Sequence, residues 1–141
     1  MRSDITTLTR WEMARSPSGS LAGPEDLASV SLDWLPFEAP GTAAAALRAA
    51  GAWGFEDQID FDADDWWFRT AFTTDLPGAT ELRVGGLATI CDLWCNAEIV
   101  LHSENMYREH HVLVELSSHN EFVLVCRSLA QHLAARRPRG R

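Results

Sequence analysis

The stretch Thr89-Ile90-Cys91-Asp92-Leu93-Trp94-Cys95-Asn96-Ala97-Glu98-Ile99-Val100-Leu101-His102 decides the fold. Asp92 and Trp94 alternate with Cys91, Leu93 and Cys95, the period-two pattern of a strand that turns one face to a core. Asn96-Ala97 breaks the pattern as a two-residue turn, and Glu98 to His102 resumes it, so the two runs read as an antiparallel hairpin. Working outward, the same texture recurs. Strands are expected at about Trp66 to Thr74, Thr80 to Gly85, Thr89 to Cys95, Glu98 to His102, His111 to Leu116 and Phe122 to Cys126, with Pro77-Gly78 as another turn. Alternation places Leu82 and Val84 inward, then Cys91, Leu93 and Cys95, then Val112 and Val114 or their neighbours, then Phe122, Leu124 and Cys126. No helical pattern follows until Leu129 to Ala135, which disfavours a parallel α/β arrangement. The expected fold is all-β, an antiparallel β-sandwich.

The first third is less regular. Leu8 to Met13 reads as a first strand and Ser16 to Ser20 as a loop. Ser29 to Leu35 alternates loosely and stops at Pro36. Thr42 is a good N-cap, Ala43 to Ala50 are strong helix formers and Gly51 stands where a C-cap belongs, so one short connecting helix is expected there.

A chain of 141 residues suits a single domain, expected here over 1–141 with its core at about 34–128 and a basic tail at 129–141. No run approaches the roughly 18 apolar residues of a membrane-spanning helix, and Met1 to Arg15 lacks a secretory pattern, so a cytoplasmic location is the expectation. All 20 acidic residues lie at or before Glu121, whereas Arg127, Arg136, Arg137, Arg139 and Arg141 crowd the end. Such an acidic body repels phosphate backbones, so neither nucleic acid nor membrane is an expected partner.

Among chemistry-bearing residues, Cys91, Cys95 and Cys126 have no disulfide-framework spacing and read first as small core hydrophobes, with a metal or redox role secondary. Asp60, Asp62 and Asp64 copy the opening of a calcium loop, but Asp65 stands where its glycine belongs and Ala71 where its final glutamate belongs. With Glu56 and Asp57 they read as a solvated acidic loop. His110 and His111 point to opposite faces of a strand and cannot chelate together. No metal or cofactor is expected, and no catalytic pair of carboxylates is identifiable. The six tryptophans are more informative, because sugars stack on indole rings. Within Asp65-Trp66-Trp67-Phe68-Arg69 at least one large ring must enter the core. Trp66, Trp94 and Tyr107 are the candidate ligand-binding residues.

In order and spacing, several short motifs then resemble the N-terminal domain of glycoside hydrolase family 2, in its β-mannosidase branch. They are Ala39-Pro40-Gly41-Thr42 before a helix ending at Gly51, Asp65-Trp66-Trp67-Phe68-Arg69, and Gly86-Leu87-Ala88-Thr89 leading into Asp92-Leu93-Trp94-Cys95-Asn96. Glu104-Asn105-Met106-Tyr107, the run Asn120-Glu121-Phe122-Val123-Leu124-Val125 and Arg127-Ser128 complete the set. The resemblance implies a jelly-roll sandwich of the galactose-binding type that braces a separate catalytic barrel, so this chain would not be catalytic by itself. It implies the remaining domains of a parent glycosidase as partners, and a sandwich left incomplete, because the family's tryptophan-rich sugar-contacting run has no counterpart here. Self-association through exposed strand edges is a further expectation. The alternatives are an independent carbohydrate-binding module and a protein-interaction sandwich. Ala97 departs from the family pattern, which usually has glycine in this turn.

Overall fold

The computed structural model describes residues 5–39, 41, 43, 46, 61, 63–85, 87, 90–104 and 108–129. Among the described residues, eight strands and one fully described helix follow in order: β1 (Arg10–Pro17), α1 (Pro24–Ser29), β2 (Leu35–Glu38), β3 (Asp64–Thr73), β4 (Gly78–Val84), β5 (Cys91–Cys95), β6 (Glu98–Ser103), β7 (His110–Leu116) and β8 (His119–Cys126). They form a six-stranded sheet in the order β2-β1-β3-β8-β5-β6 and a two-stranded sheet β4-β7. Every pairing is antiparallel. The fold is the expected β-sandwich.

The sandwich closes because one face of β5 and β8 is apolar. Leu93, Cys95 and Phe122 on the larger sheet meet Val114 on the smaller, with Leu82, Val84, Val112, Leu116 and Leu124 packed around them. Further along the same face, Met13, Trp66 and Phe68 form a second cluster with Trp11, Leu35, Phe37 and Cys126. The inward residues read from alternation therefore do face inward. Alternation misses the other side of the same strands, however. Val123 and Val125 are as buried as Phe122. They pack with Trp67 and Leu21 under Leu27, Leu32 and Trp34. The chain between β1 and β2 thus covers the outer face of the six-stranded sheet, which leaves β3 and β8 enclosed on both sides.

Helix α1 is the lid of that second layer and lies where no helix is expected from sequence. Pro24 occupies its first turn, where a missing N–H costs nothing, and the Asp26 carboxylate accepts a hydrogen bond from Ala22 N. At six residues it holds through the contact of Leu27 with the sheet, not through propensity. Of the helix expected at 42–51, Ala43 and Ala46 are described and helical, with Ala46 buried, and the rest lies outside the described residues. β1 runs on to Pro17, beyond the expected end at Met13. β2 continues through Pro36, because it is an edge strand and the missing N–H faces no partner.

The β5–β6 turn is the strained point. Asn96 has φ +50° and Ala97 φ +67°, so both central residues are left-handed, as a type I′ hairpin requires. Asparagine tolerates this region and alanine does not. The turn persists because Asn96 is fastened to β8: its backbone N–H donates to Glu121 O, its Oδ1 accepts from Glu121 N, and its Nδ2 donates to Asn120 Oδ1. Ala97 is exposed, so a replacement changes backbone strain and little else. Ala97→Gly should raise the unfolding free energy by about 0.5–1 kcal/mol in a urea titration, and Ala97→Val should lower it.

Candidate functional site

The three candidate aromatics have different fates. Trp66 is 6% exposed, its Nε1 donates to Phe61 O at 2.9 Å, and its ring is packed among Met13, Phe68 and Phe37. It offers no open face for stacking. Tyr107 lies outside the described residues. Trp94 points to the opposite face from Cys91 and Cys95 and is half-buried. One side of its ring stacks on Trp67 with centroids 6.1 Å apart, and the backbone of Gly23 passes its edge.

With Ala22, Gly23, Pro24, Glu25, Asp26 and Ala97, Trp94 lines a shallow depression of about 260 Å³ that is open to solvent. An indole and two neighbouring carboxylates can stack against and accept hydrogen bonds from a polyol. A hollow this open does not exclude water, so it suits contact more than chemistry. A second shallow hollow, about 280 Å³, is lined by Arg10, Trp11, Glu12, Arg69, Thr70 and Ala71. Two of its charges are already engaged. Arg69 pairs with Glu12 at 3.1 Å and lies 3.8 Å from the centroid of the Trp34 ring.

On the same side of β3 as Trp67, on which Trp94 stacks, is a buried carboxylate that the sequence reading assigns to a solvated acidic loop. Asp65 is 1% exposed. Its Oδ1 accepts from Ser128 N at 2.7 Å, and its Oδ2 accepts from Gly19 N at 2.9 Å and from Arg127 Nη1 at 3.0 Å. The same guanidinium donates to Leu21 O and Ala22 O and lies 5.2 Å from the Trp67 ring centroid. Gly19 takes φ +72° in the turn that brings its amide to Asp65, which is why glycine stands there. This clasp ties the end of β8 and the start of β3 to the segment that carries α1. Asp64 is its half-buried neighbour, 3.9 Å from Arg15, and Glu56, Asp57, Asp60 and Asp62 lie outside the described residues. The only sequence signal for the clasp is that Asp65 opens one strand and Arg127 follows another. Removing the carboxylate leaves the buried Ser128 amide without its acceptor and takes one of three partners from the Arg127 guanidinium, so Asp65→Ala should cost about 1–3 kcal/mol of stability by urea titration.

The described histidines, His102, His110, His111 and His119, lie on strands, His110 and His111 on opposite sides as expected. His110 Nε2 is 3.0 Å from Ser103 Oγ, while His111 lies 2.8 Å from Glu81, which also pairs with Arg83. The hydrogen bond from His111, then that from Arg83, holds Glu81 below the usual carboxylate range. His102 Nδ1 lies 2.6 Å from Asp92, with Glu104 at 3.7 Å. The Asp92 hydrogen bond raises the His102 pKa above its ordinary 6.5, against a smaller opposing effect of burial. The stabilisation from this pair is therefore fully present below pH 6.5 and lost as pH rises through the folded value. In an NMR titration His102 should have a midpoint above 6.5, and Asp92→Asn should bring it down. Among the described residues, no group of three or more His, Cys, Asp or Glu side chains is arranged to hold a metal ion.

The comparison with known proteins meets this geometry directly. The model of the glycosyl hydrolase 2 galactose-binding domain-like family matches residues 11–137. The chain belongs to that family. This galactose-binding-like domain is similar over 95% of its length to the β-D-mannosidase of Dictyoglomus thermophilum, with a TM-score of 0.76 at 17% identity. It is also similar to a β-glucuronidase of Faecalibacterium prausnitzii over 89% of its length (TM-score 0.59, 11% identity). A galacturonate-bound β-galacturonidase of Eisenbergiella tayi matches over 85% (TM-score 0.56, 11% identity). The domain spans 17%, 22% and 18% of those chains, respectively. No curated protein matches it in sequence.

Proposed function

We propose that this domain is the non-catalytic N-terminal part of a β-mannosidase-type family 2 glycoside hydrolase, serving to brace the catalytic barrel. The observation that carries the reading is the likeness to the Dictyoglomus β-mannosidase, at a TM-score of 0.76 against 0.59 and 0.56 for the two uronidases. The chemistry of the described surface supports an accessory role. A glycosidase needs two carboxyl groups about 5–10 Å apart about a bound sugar. Here Asp65 is enclosed, Asp26 is tied to Ala22, and Glu12 and Glu81 are paired with Arg69 and Arg83.

Among the described residues β4 and β7 pair only with each other, so each has one edge of backbone groups unpaired. Those edges suit a neighbouring domain of the parent enzyme. In the isolated chain they suit a second copy, which light scattering after size exclusion would register as a dimer.

The test compares this chain with the full polypeptide that carries it. The full polypeptide should release nitrophenol from 4-nitrophenyl β-D-mannoside and leave the β-glucuronide and β-galacturonide intact, while the isolated domain releases nothing. Preference for a uronide overturns the mannosidase reading, and hydrolysis by the isolated domain overturns the accessory role. The open indole of Trp94 beside Glu25 favours a second reading, a carbohydrate-binding module. Saturable calorimetric binding of manno-oligosaccharides to the isolated domain, lost in Trp94→Ala, would support it.

A further inference from the structure

Cys91 on β5 and Cys126 on β8 are direct cross-strand partners. Their sulfurs lie 3.0 Å apart. The next pair along is hydrogen-bonded, with Arg127 N donating to Ile90 O at 2.8 Å. Cys91 and Cys126 therefore occupy a non-hydrogen-bonded site, where antiparallel Cα atoms approach to about 4.5 Å. That spacing falls inside the roughly 4.4–6.8 Å that a disulfide bridges without moving the backbone. Cys95 is excluded from the pairing, because its cross-strand partner is Phe122.

We propose that Cys91 and Cys126 form a reversible cross-strand disulfide that fastens β5 to β8, with a small-molecule disulfide such as glutathione disulfide as the oxidant. Cys91 is fully buried and Cys126 is partly accessible, so the oxidant meets Cys126 first. The Cys126 thiolate attacks one sulfur of the oxidant, breaks its S–S bond and releases one glutathione thiolate, which takes up a proton. Cys91 then gives its proton to solvent and attacks the Cys126 sulfur of the mixed disulfide, releasing the second glutathione. Two protein thiols are oxidised and one glutathione disulfide is reduced to two thiols. In the reduced pair the hydrogen bond to Cys126, and then burial, push the Cys91 thiol above its ordinary pKa; burial persists in the mixed disulfide, so closure quickens at higher pH. Because the link closes a long loop between strands already in register, the thermal midpoint should rise by roughly 5–10 °C.

The test incubates the folded chain with glutathione disulfide at mildly alkaline pH, alkylates free thiols and maps non-reduced tryptic peptides. Cleavage after Arg83, Arg108 and Arg127 places Cys91 and Cys95 on one peptide and Cys126 on another. The Cys95→Ala variant, run in parallel, should give the same cross-link, the same loss of two hydrogens and the same rise in midpoint, all reversed by dithiothreitol. A Cys126→Ser variant should give no intramolecular link. Alkylation of both thiols after oxidation, a lasting glutathione adduct on Cys126, or a link that disappears in Cys95→Ala would each overturn the proposal.

Discussion

Strand β8 lies between β3 and β5, and the register of those two pairings positions the buried carboxylate clasp, the thiol pair and the anchored β5–β6 turn. Eight residue pairs join β3 to β8 and five join β8 to β5. Opposing Trp66 to Cys126 brings Asp65 beside Arg127 and Ser128. Opposing Cys91 to Cys126 brings two thiols together, and opposing Cys95 to Phe122 delivers Asn96 to Asn120 and Glu121. A slip by one residue would undo all three and turn the apolar face of β8 away from the smaller sheet. β3 and β8 are some fifty residues apart in the chain, so the register is set only after a long loop closes, the kind of non-local pairing that folds slowly.

Enclosure of β3 and β8 on both faces explains the aromatic content. Trp66 and Phe68 fill one side and Trp67 fills the other, where its Nε1 donates to Ser16 Oγ. Trp94 and Trp34 extend that outer layer, so most of the rings that invite a sugar-binding reading are structural. The polar groups that burial traps are met in kind. Asp65 receives three hydrogen bonds, and among the described residues no buried side-chain nitrogen or oxygen lacks a partner. An ion pair such as Asp65–Arg127 carries a desolvation cost that its attraction alone does not offset. The backbone amides and carbonyls around it supply the difference and fix the position of the 19–22 segment.

The described surface is shallow, with open hollows of about 260 and 280 Å³. Among the described residues, each strand of the smaller sheet has one unpaired edge, and the Trp94 indole is half open. The domain amounts to about a fifth of each related hydrolase chain.

What the sequence by itself determined is local. The period-two pattern of Cys91-Asp92-Leu93-Trp94-Cys95, the Asn96-Ala97 turn and the run from Phe122 to Cys126 suffice for strands, a hairpin and a sandwich, and the ordered motifs suffice for the family. Alternation says which side chains share a face, because successive residues must point to opposite sides. It is silent on what covers that face. Only the tertiary structure decided that α1 and its flanking chain cover the second face, that Asp65 is buried rather than solvated, that Trp66 is core while Trp94 stays half open, and that Cys91 meets Cys126 rather than Cys95. Each of these depends on which distant strand lies alongside, and the energy that selects that neighbour comes from packing across the whole sheet.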